Sequence, residues 1–511
     1  MSIRRIVTVD QAEWSMAPPP AWRLPREIDW RYRAPADETV AWLLVDEQYH
    51  AASQSRSCRW VRQLLSIAAV QALAQVEIEF EPDAQRLLVH EVVVWRQAAD
   101  GPWHKSAPVA AEAFLLRQRE QQFDQQVLHG RVSLVALLED VRVGDAVELA
   151  WTTTPRERLP GLAFATYFVF AWRAPVAAAR VALHLTDEVP LSWRLLPGGD
   201  RALPEEQASP HLVEWSLTDV ARFEAESNVP GSHWHWPMLE VSGWQSWAEV
   251  AGFLTELWHE ALNSDAEAIA AEVETLLSDL SLAPAVLEAI RFVQEDVRYL
   301  AVDFGHGAGM LPNAAGTVLR RRFGDCKDKA VLLTAMLRAL GLEARPVLVA
   351  AQWREAVMRL LPSAHAFDHA IVVFEYEGQR HFVDPTYIGQ RGDLAHRVPP
   401  PNGVGLELAV TTSALLEIPG AHSNTLLLTE VFALDRRGKG RVEQILQVTG
   451  AMADDLRAQL LRDGSQAFAK TRAEALKQRL PALVAEVEGT QFDDDTEVNE
   501  LVMTASHALP S

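Results

Sequence analysis

The sequence predicts an α+β fold, because its pattern of apolar residues changes twice along the chain. Residues 40–217 form short alternating segments broken by Pro-Gly and Gly-Asp turns, which is typical of strands. From residue 246 onwards, apolar residues recur at helical spacing. We therefore expect an N-terminal β-sandwich domain over residues 1–245, a mixed domain over 246–420 and an α/β segment over 421–511. The last segment is either minimal or cut short.

The N-terminal domain contains several strand candidates rich in Val, Leu and aromatic residues. They lie at 76–80, 87–96, 147–152, 167–172, 180–185 and 212–217. The segment 76–80 alternates cleanly between apolar and acidic residues, as expected of a half-buried strand. Between these strands, a helix is expected within residues 111–126.

The remaining elements follow from the same patterns. In the middle domain, helices are expected at 246–262, 265–280 and from Pro284 to 299, with strands at 344–350, 370–376 and 379–384. The last segment should contain a hairpin of 426–434 with 441–448, helices at 452–461 and 465–484, and a lone strand at 497–505.

Composition and charge narrow the classes of function. The chain has 511 residues, enough for two to four domains, and a net charge of −22. Such an acidic protein is not expected to bind nucleic acid or anionic membranes in general. Residues 1–14 lack the apolar region of a signal peptide, and no run approaches the ~20 apolar residues of a membrane span. A cytoplasmic protein without a membrane segment is therefore expected.

The segment Arg-Phe-Gly-Asp-Cys-Lys-Asp-Lys-Ala at 322–330 carries the main chemical signal. It is followed by an apolar helical run ending at Gly341, which predicts a buried helix with Cys326 at its entrance. The first turn of a helix favours negative charge, so a thiolate is stabilised there. Two of the six lysines of the chain, Lys327 and Lys329, flank the cysteine and predict a local basic spot.

A histidine and an aspartate follow in the order of a Cys-His-Asp nucleophilic triad. His369 precedes one strand candidate and Asp384 ends the next, with Glu377-Gly378 as the turn between them. An even-numbered hairpin loop would place both side chains on one face of the sheet, directly opposite or diagonal, at ~5–8 Å. Cys326, His369 and Asp384 are therefore the candidate catalytic residues.

A metal site is the alternative interpretation of the histidines. His365 and His369 lie four residues apart, with His381 and His396 nearby, but their segment leads into a strand and no HExxH or CxxC motif accompanies it. No metal site is therefore predicted. The second cysteine, Cys58, is expected to be structural, and it should form no disulfide with Cys326.

The same segments resemble a known family. Residues 297–349, together with the blocks around His369 and Asp384, closely resemble bacterial transglutaminase-like proteins of the papain-like superfamily. Residues 76–96 and 140–152 resemble the uncharacterised β-rich domain that often precedes such cores. The resemblance implies a papain-like core in which Cys326 is the nucleophile, His369 the base and Asp384 the orienting acid.

This resemblance leads to a function. We expect acyl transfer or hydrolysis at an amide or peptide bond through a thioester on Cys326, with a protein or peptide substrate and no cofactor. The main-chain N–H of Cys326 is the expected oxyanion donor. The alternative is a catalytically silent peptide-binding or assembly protein, whose working surface would include the aromatic cluster of Trp234, Trp236, Trp244 and Trp247.

Overall fold

The computed structural model of the chain describes residues 13–82, 84–98, 101–118, 127–128, 131–156, 159–302, 310–420, 424–481, 483–484 and 489–509. Its contacts divide the chain into two compact units. The first consists of Met1–Phe253, Ala301–Leu311 and Arg359–Ala366, and the second of Leu254–Leu300, Pro312–Met358 and Phe367–Ser511. The predicted domain boundaries at 245/246 and 420/421 stay predictions.

The first unit is rich in strands. They are β1 (Trp14–Met16), β2 (Val40–His50), β3 (Ser55–Leu64), β4 (Gln75–Phe80), β5 (Gln85–Gln97), β6 (Trp103–Lys105), β7 (Phe114–Gln118), β8 (Val127–Leu128), β9 (Val132–Leu137), β10 (Ala146–Pro155), β11 (Ala165–Val169), β12 (Val176–His184), β13 (Ser192–Leu196), β14 (Glu205–Ser209), β15 (Leu212–Val220) and β16 (Met238–Ser242). A short helix, α1 (Ile67–Leu73), connects β3 to β4, and the Ser66 hydroxyl caps it by accepting from Ala69 N.

Apart from β8, these strands form one large and two small sheets. The large sheet has the order β1-β5-β10-β3-β2-β12-β15-β14, with β6 added at β5, and the small sheets are β4-β9-β7 and β11-β16-β13. Ile78 and Leu134 of one small sheet share a buried cluster with Val89 and Leu149 of the large sheet. The β-rich character expected for this region is confirmed, whereas its description as a sandwich stays a prediction.

The prediction of a helix within residues 111–126 is wrong for residues 111–118, the part of this range that the structure describes. A 3₁₀ turn at Ala111–Ala113 leads into β7, which pairs with β9. Phe114 and Leu116 then alternate into the buried cluster of the first unit, so strand pairing and burial override the helical propensity of this Leu-, Gln- and Arg-rich stretch. Residues 119–126 lie outside the described part of the chain.

The second unit combines helices with two larger antiparallel sheets and a two-stranded parallel one. The helices are α2 (Trp247–Asn263), which begins in the first unit, α3 (Ala266–Leu277), α4 (Leu282–Arg291), α5 (Ala315–Arg321), α6 (Cys326–Ala339), α7 (Ala451–Asp463) and α8 (Ser465–Arg479). A π-helical turn, Phe292–Asp296, continues α4. Within the described ranges, no helix is both long and apolar enough to cross a membrane.

Its strands are β17 (Arg298–Tyr299), β19 (Phe323–Gly324), β20 (Ala344–Val349), β21 (His369–Tyr376), β22 (Gln379–Val383), β23 (Val404–Glu407), β24 (Leu416–Glu417), β25 (Leu426–Leu434), β26 (Gly440–Thr449), β27 (Gln491–Asp495) and β28 (Glu500–Leu509). The remaining strand, β18 (Ala301–Val302), belongs to the first unit and pairs with β8.

The first sheet of this unit is antiparallel, in the order β22-β21-β20-β23-β24, and α6 packs against β20 and β21. Strands β21 and β22 are joined by the two-residue turn Glu377-Gly378, in which both residues have positive φ, 50° and 75°. This is the signature of a type I′ turn, whose twist matches that of the strands it connects. The expected even-numbered hairpin is therefore present.

The chain ends in a second antiparallel sheet, β25-β26-β28-β27, against which α7 packs. The predicted hairpin of β25 with β26 is confirmed. The prediction of a lone terminal strand is wrong, because β28 lies between β26 and β27. The sequence pattern missed β27, since its residues, QFDDD, are mostly polar and exposed.

The loop that follows β22 is tied to this C-terminal sheet by main-chain hydrogen bonds. Gly392 N donates to Thr496 O at 2.9 Å, and Asp393 N donates to Glu497 O at 3.0 Å. The side chain of Asp454, on α7, accepts from Arg391 N at 3.0 Å. The C-terminal sheet therefore helps to hold the loop that begins at Asp384.

Candidate active site

Cys326 is the first residue of α6, and the residues before it explain why the helix begins there. The Asp325 carboxylate caps the helix by accepting from Asp328 N at 3.0 Å. A Cβ at Gly324 would lie 2.5 Å from Cβ of Asp328, so a side chain at this position would clash. Cys326 is buried, with 7% of its surface exposed, at the end of the helix that favours negative charge.

The two lysines beside the cysteine do not form the expected basic spot. Lys327 Nζ lies 2.6 Å from an Asp325 carboxylate oxygen, so its charge is largely compensated by that partner. Lys329 is directed into the protein, is only 1% exposed, and donates to main-chain carbonyl groups. The sequence could not separate these two environments, because both lysines lie within three residues of Cys326.

His369 opens β21 and lies opposite Val349 of β20. Its Nε2 is 2.7 Å from Oδ2 of Asp384, and the Cys326 side chain is near enough to the ring to raise its pKa. The register of the hairpin explains the first contact: Val372 pairs with Val383, so His369 and Asp384 are diagonal neighbours on one face.

Asp384 is held in place by the residues around it. Thr386 donates to Oδ1 of the carboxylate from its main-chain N at 2.8 Å and from its hydroxyl at 2.7 Å. Gln294 Nε2 donates to the main-chain oxygen of Asp384 at 2.8 Å. Together these bonds fix both the side chain and the main chain of the aspartate.

The electrostatics of the pair favour an imidazolium beside a carboxylate. Burial works to lower the pKa of His369, but the charge and hydrogen bond of Asp384 and the interaction with Cys326 raise it well above its ordinary value. Burial works to raise the pKa of Asp384, yet the charge of His369 and the hydrogen bonds from His369 and Thr386 hold it below its ordinary value. The arrangement can therefore stabilise a thiolate next to a protonated imidazole.

The other candidates occupy different surroundings. Cys58 is fully buried in the first unit, and burial raises the pKa of its thiol, which is typical of an inert structural cysteine. His381 stacks on Phe374, with ring centroids 5.2 Å apart, and His396 contacts Asp393 at 2.8 Å. In the described residues, no group of three His, Cys, Asp or Glu side chains is arranged to hold a metal ion.

The aromatic cluster near residue 234 is engaged in packing within the first unit. The Arg359 guanidinium lies 4.1 Å above the Trp234 ring, whose Nε1 donates to Pro197 O at 3.3 Å. Trp236 packs edge-on against Phe223, with ring centroids 5.7 Å apart. These contacts account for the positions of the Trp234 and Trp236 rings.

Three residues of the site were not singled out by sequence reasoning: Gln294, Lys329 as a buried group, and Thr386. Thr386 lies two residues after Asp384, where Thr commonly hydrogen-bonds a neighbouring turn residue, so a local signal existed. Gln294 lies 90 residues from Asp384 along the chain, and its π-helical turn leaves no mark in the sequence pattern.

Comparison with known proteins matches two parts of the chain to family models. Residues 50–224 match a domain of unknown function with a solved structure (DUF3857). Residues 267–381 match the transglutaminase-like superfamily, a range that includes Cys326 and His369 and ends before Asp384. None of the curated proteins matches the chain.

The chain also matches solved structures. One is described as "a putative protease" from Parabacteroides distasonis ATCC 8503; it has 15% identity and a TM-score of 0.58, and the match covers 93% of this chain and 94% of that one. The other is described as "a putative cysteine protease" from Cytophaga hutchinsonii; it has 14% identity and a TM-score of 0.23, and the match covers 50% and 88%. The first match shows a shared fold, and the second is too weak to carry an argument.

Proposed function

Since this chain carries a transglutaminase-like core behind a DUF3857 domain, we propose that it is a cysteine enzyme that transfers or hydrolyses acyl groups at amide or peptide bonds. Cys326 is the nucleophile, His369 the general acid and base, and Asp384 the residue that orients the imidazole. The observation that carries the proposal is the 2.7 Å contact between His369 Nε2 and Oδ2 of Asp384, on a ring that also interacts with the Cys326 side chain.

In the first half of the reaction, the Cys326 thiolate attacks the carbonyl carbon of the amide and a C–S bond forms. The negative charge that develops on the carbonyl oxygen is stabilised by the main-chain N–H of Cys326, at the N-terminus of α6. The imidazolium of His369 then gives its proton to the amide nitrogen, and the C–N bond breaks. An acyl thioester on Cys326 and a free amine result.

In the second half, a water molecule or an amine attacks the thioester carbon. His369, now neutral, takes the proton from this nucleophile, and the C–S bond breaks to release a carboxylic acid or a new amide. The thiolate–imidazolium pair is thereby restored. Asp384 keeps its charge throughout and holds the ring through the bond to Nε2.

Thiol alkylation tests the proposal without a known substrate. Iodoacetamide at pH 6, with peptide mass spectrometry to locate the label, should modify Cys326 faster than it modifies glutathione, because the adjacent imidazolium favours the thiolate. Cys58→Ala should leave this rate unchanged, and His369→Ala should lower it. If Cys326 reacts no faster than glutathione, the chain has no activated nucleophile and a catalytically silent binding protein is the better description.

The thioester intermediate can be tested once a substrate peptide is found. Hydroxylamine intercepts an acyl thioester to give a hydroxamate, whether the natural acceptor is water or an amine. Hydroxamate should form with the wild-type protein and not with Cys326→Ala. Equal formation by both proteins would exclude a thioester on Cys326.

A further inference from the structure

Lys329 is a buried cation inside the candidate active site, one turn along α6 from Cys326. Its Nζ donates to the main-chain oxygens of Val297 at 2.8 Å and Gln294 at 3.2 Å. These carbonyl groups lie at the end of the π-helical turn that continues α4, where partial negative charge favours a cation. A charged amine with 1% exposure is nonetheless expensive to bury, so a further compensating charge is expected.

Asp384 supplies that charge. Burial lowers the pKa of Lys329 to about 8, and the Asp384 carboxylate is the charged group that raises it. The other acids near this end of the site have their own partners. At the start of α6, Asp325 pairs with Lys327, and Asp328 pairs with Arg321. On the π-helical turn, Glu295 pairs with Arg391. Among the described residues, no carboxylate lies within ion-pair distance of Lys329.

A second connection runs through the main chain. Gln294, whose carbonyl accepts from Lys329, also donates its side chain to the main-chain oxygen of Asp384. The lysine is therefore linked to the aspartate both by charge and, through Gln294, by two consecutive hydrogen bonds. Neither link involves Cys326 or His369 directly.

The reactive form of the proposed enzyme contains three buried charges: a thiolate, an imidazolium and a carboxylate. Their sum is −1, which is unfavourable where little water is present. The ammonium of Lys329 brings the sum to zero. Without it, the site would reduce its net negative charge by taking up a proton, and a thiolate is in general a stronger base than a carboxylate.

We propose that Lys329 is a positioning residue that balances the charge of the Cys326–His369–Asp384 site and, through Gln294, anchors the main chain at Asp384. The proposal rests on the function assigned above. It adds a fourth ionisable residue that touches no substrate and acts through Asp384.

The test is the pH dependence of Cys326 alkylation by iodoacetamide in Lys329→Met. Loss of the ammonium should move the midpoint of the rate profile to higher pH by about one unit, the order expected for a charge near an ionisable group. Lys470→Met, on the exposed face of α8, is the matched control and should leave the midpoint unchanged. A folded Lys329→Met protein whose midpoint agrees with the wild type would overturn the proposal.

A double variant distinguishes charge balance from a role in which Lys329 only caps the carbonyl groups at the end of the π-helical turn. In an Asp384→Asn background, Lys329 lacks the carboxylate that keeps it charged. The amine is then more easily neutral, so adding Lys329→Met should shift the midpoint much less than it does in the wild type. An equal shift in both backgrounds would contradict the role assigned to Asp384. If Lys329→Met alone does not fold, the double variant should fold, because its unbalanced charge is removed. If neither variant folds, Lys329 serves only to cap the carbonyl groups of Gln294 and Val297, and the charge balance is refuted.

These outcomes are independent of the proposed enzyme activity. The midpoint shift compares two proteins and can be measured even if the wild-type thiol is no more reactive than glutathione. An unreactive wild type with the expected shift would refute the proposed function and retain the charge balance. A reactive wild type without the shift would refute the charge balance and retain the proposed function.

Discussion

Raising the pH from 7 to 10 should stabilise the wild-type protein relative to Lys329→Met. The ammonium of Lys329 is lost with a pKa of about 8 in the folded protein, against 10.5 for an ordinary lysine. Between these two values the unfolded chain binds more protons than the folded one, so the free energy of unfolding rises with pH. At 1.36 kcal/mol per pKa unit, the part of this shift that falls between pH 7 and 10 amounts to about 2–3 kcal/mol.

The assay is urea unfolding at pH 7, 8, 9 and 10, followed by tryptophan fluorescence for the wild type and the variant. The quantity of interest is the difference between their free energies of unfolding, because the titrations common to both proteins cancel in it. Lys470→Met, whose side chain is 71% exposed in the wild type, should show no such trend. A difference that stays constant within about 0.5 kcal/mol across this range would refute the reasoning, since extrapolated unfolding energies are reproducible to about that level.

Three further predictions concern the site. His369→Ala should abolish turnover and leave the circular dichroism spectrum unchanged, because the side chain serves the reaction more than the packing; an unfolded variant would show that His369 is structural. Asp384→Asn should lower kcat by a factor of about 10 to 10³, less than the factor of ~10⁴ known for a serine triad, because the thiolate–imidazolium pair depends less on the carboxylate. Full activity in this variant would mean that the site is a Cys-His pair. Gly324→Ala should destabilise the protein by about 1–3 kcal/mol in the same urea assay, because the new Cβ would meet Asp328, and an unchanged midpoint would mean that the turn relaxes freely.

The hairpin of the candidate site was predictable because its determinants are local. The Glu377-Gly378 turn, the alternation of β21 and the length of β22 lie within 16 residues of one another, and together they set the diagonal contact of His369 with Asp384. The entrance of α6 is local in the same way. Its cap, Asp325, is adjacent to Cys326 in the chain.

What escaped prediction depends on contacts between distant segments. Residues 114–118 form a strand because they pair with β9, and the secondary-structure propensity of their own side chains does not reveal that pairing. The burial of Lys329 depends on carbonyl groups more than 30 residues away, and a lysine near a helix start is ordinarily solvated. The strand β27 was missed because its partner β28, and not its own composition, makes it a strand.

The main-chain bonds between the loop after Asp384 and the C-terminal sheet bear on how the protein can be divided. Gly392 and Asp393 bind the turn at Thr496 and Glu497 much as one strand binds another, and the Asp454 side chain adds a contact from α7. A cut in the chain after Gly420 would therefore turn these bonds into contacts between two fragments. The residues after Gly420 therefore support the loop that begins at Asp384, and a shortened chain without them would lose these bonds.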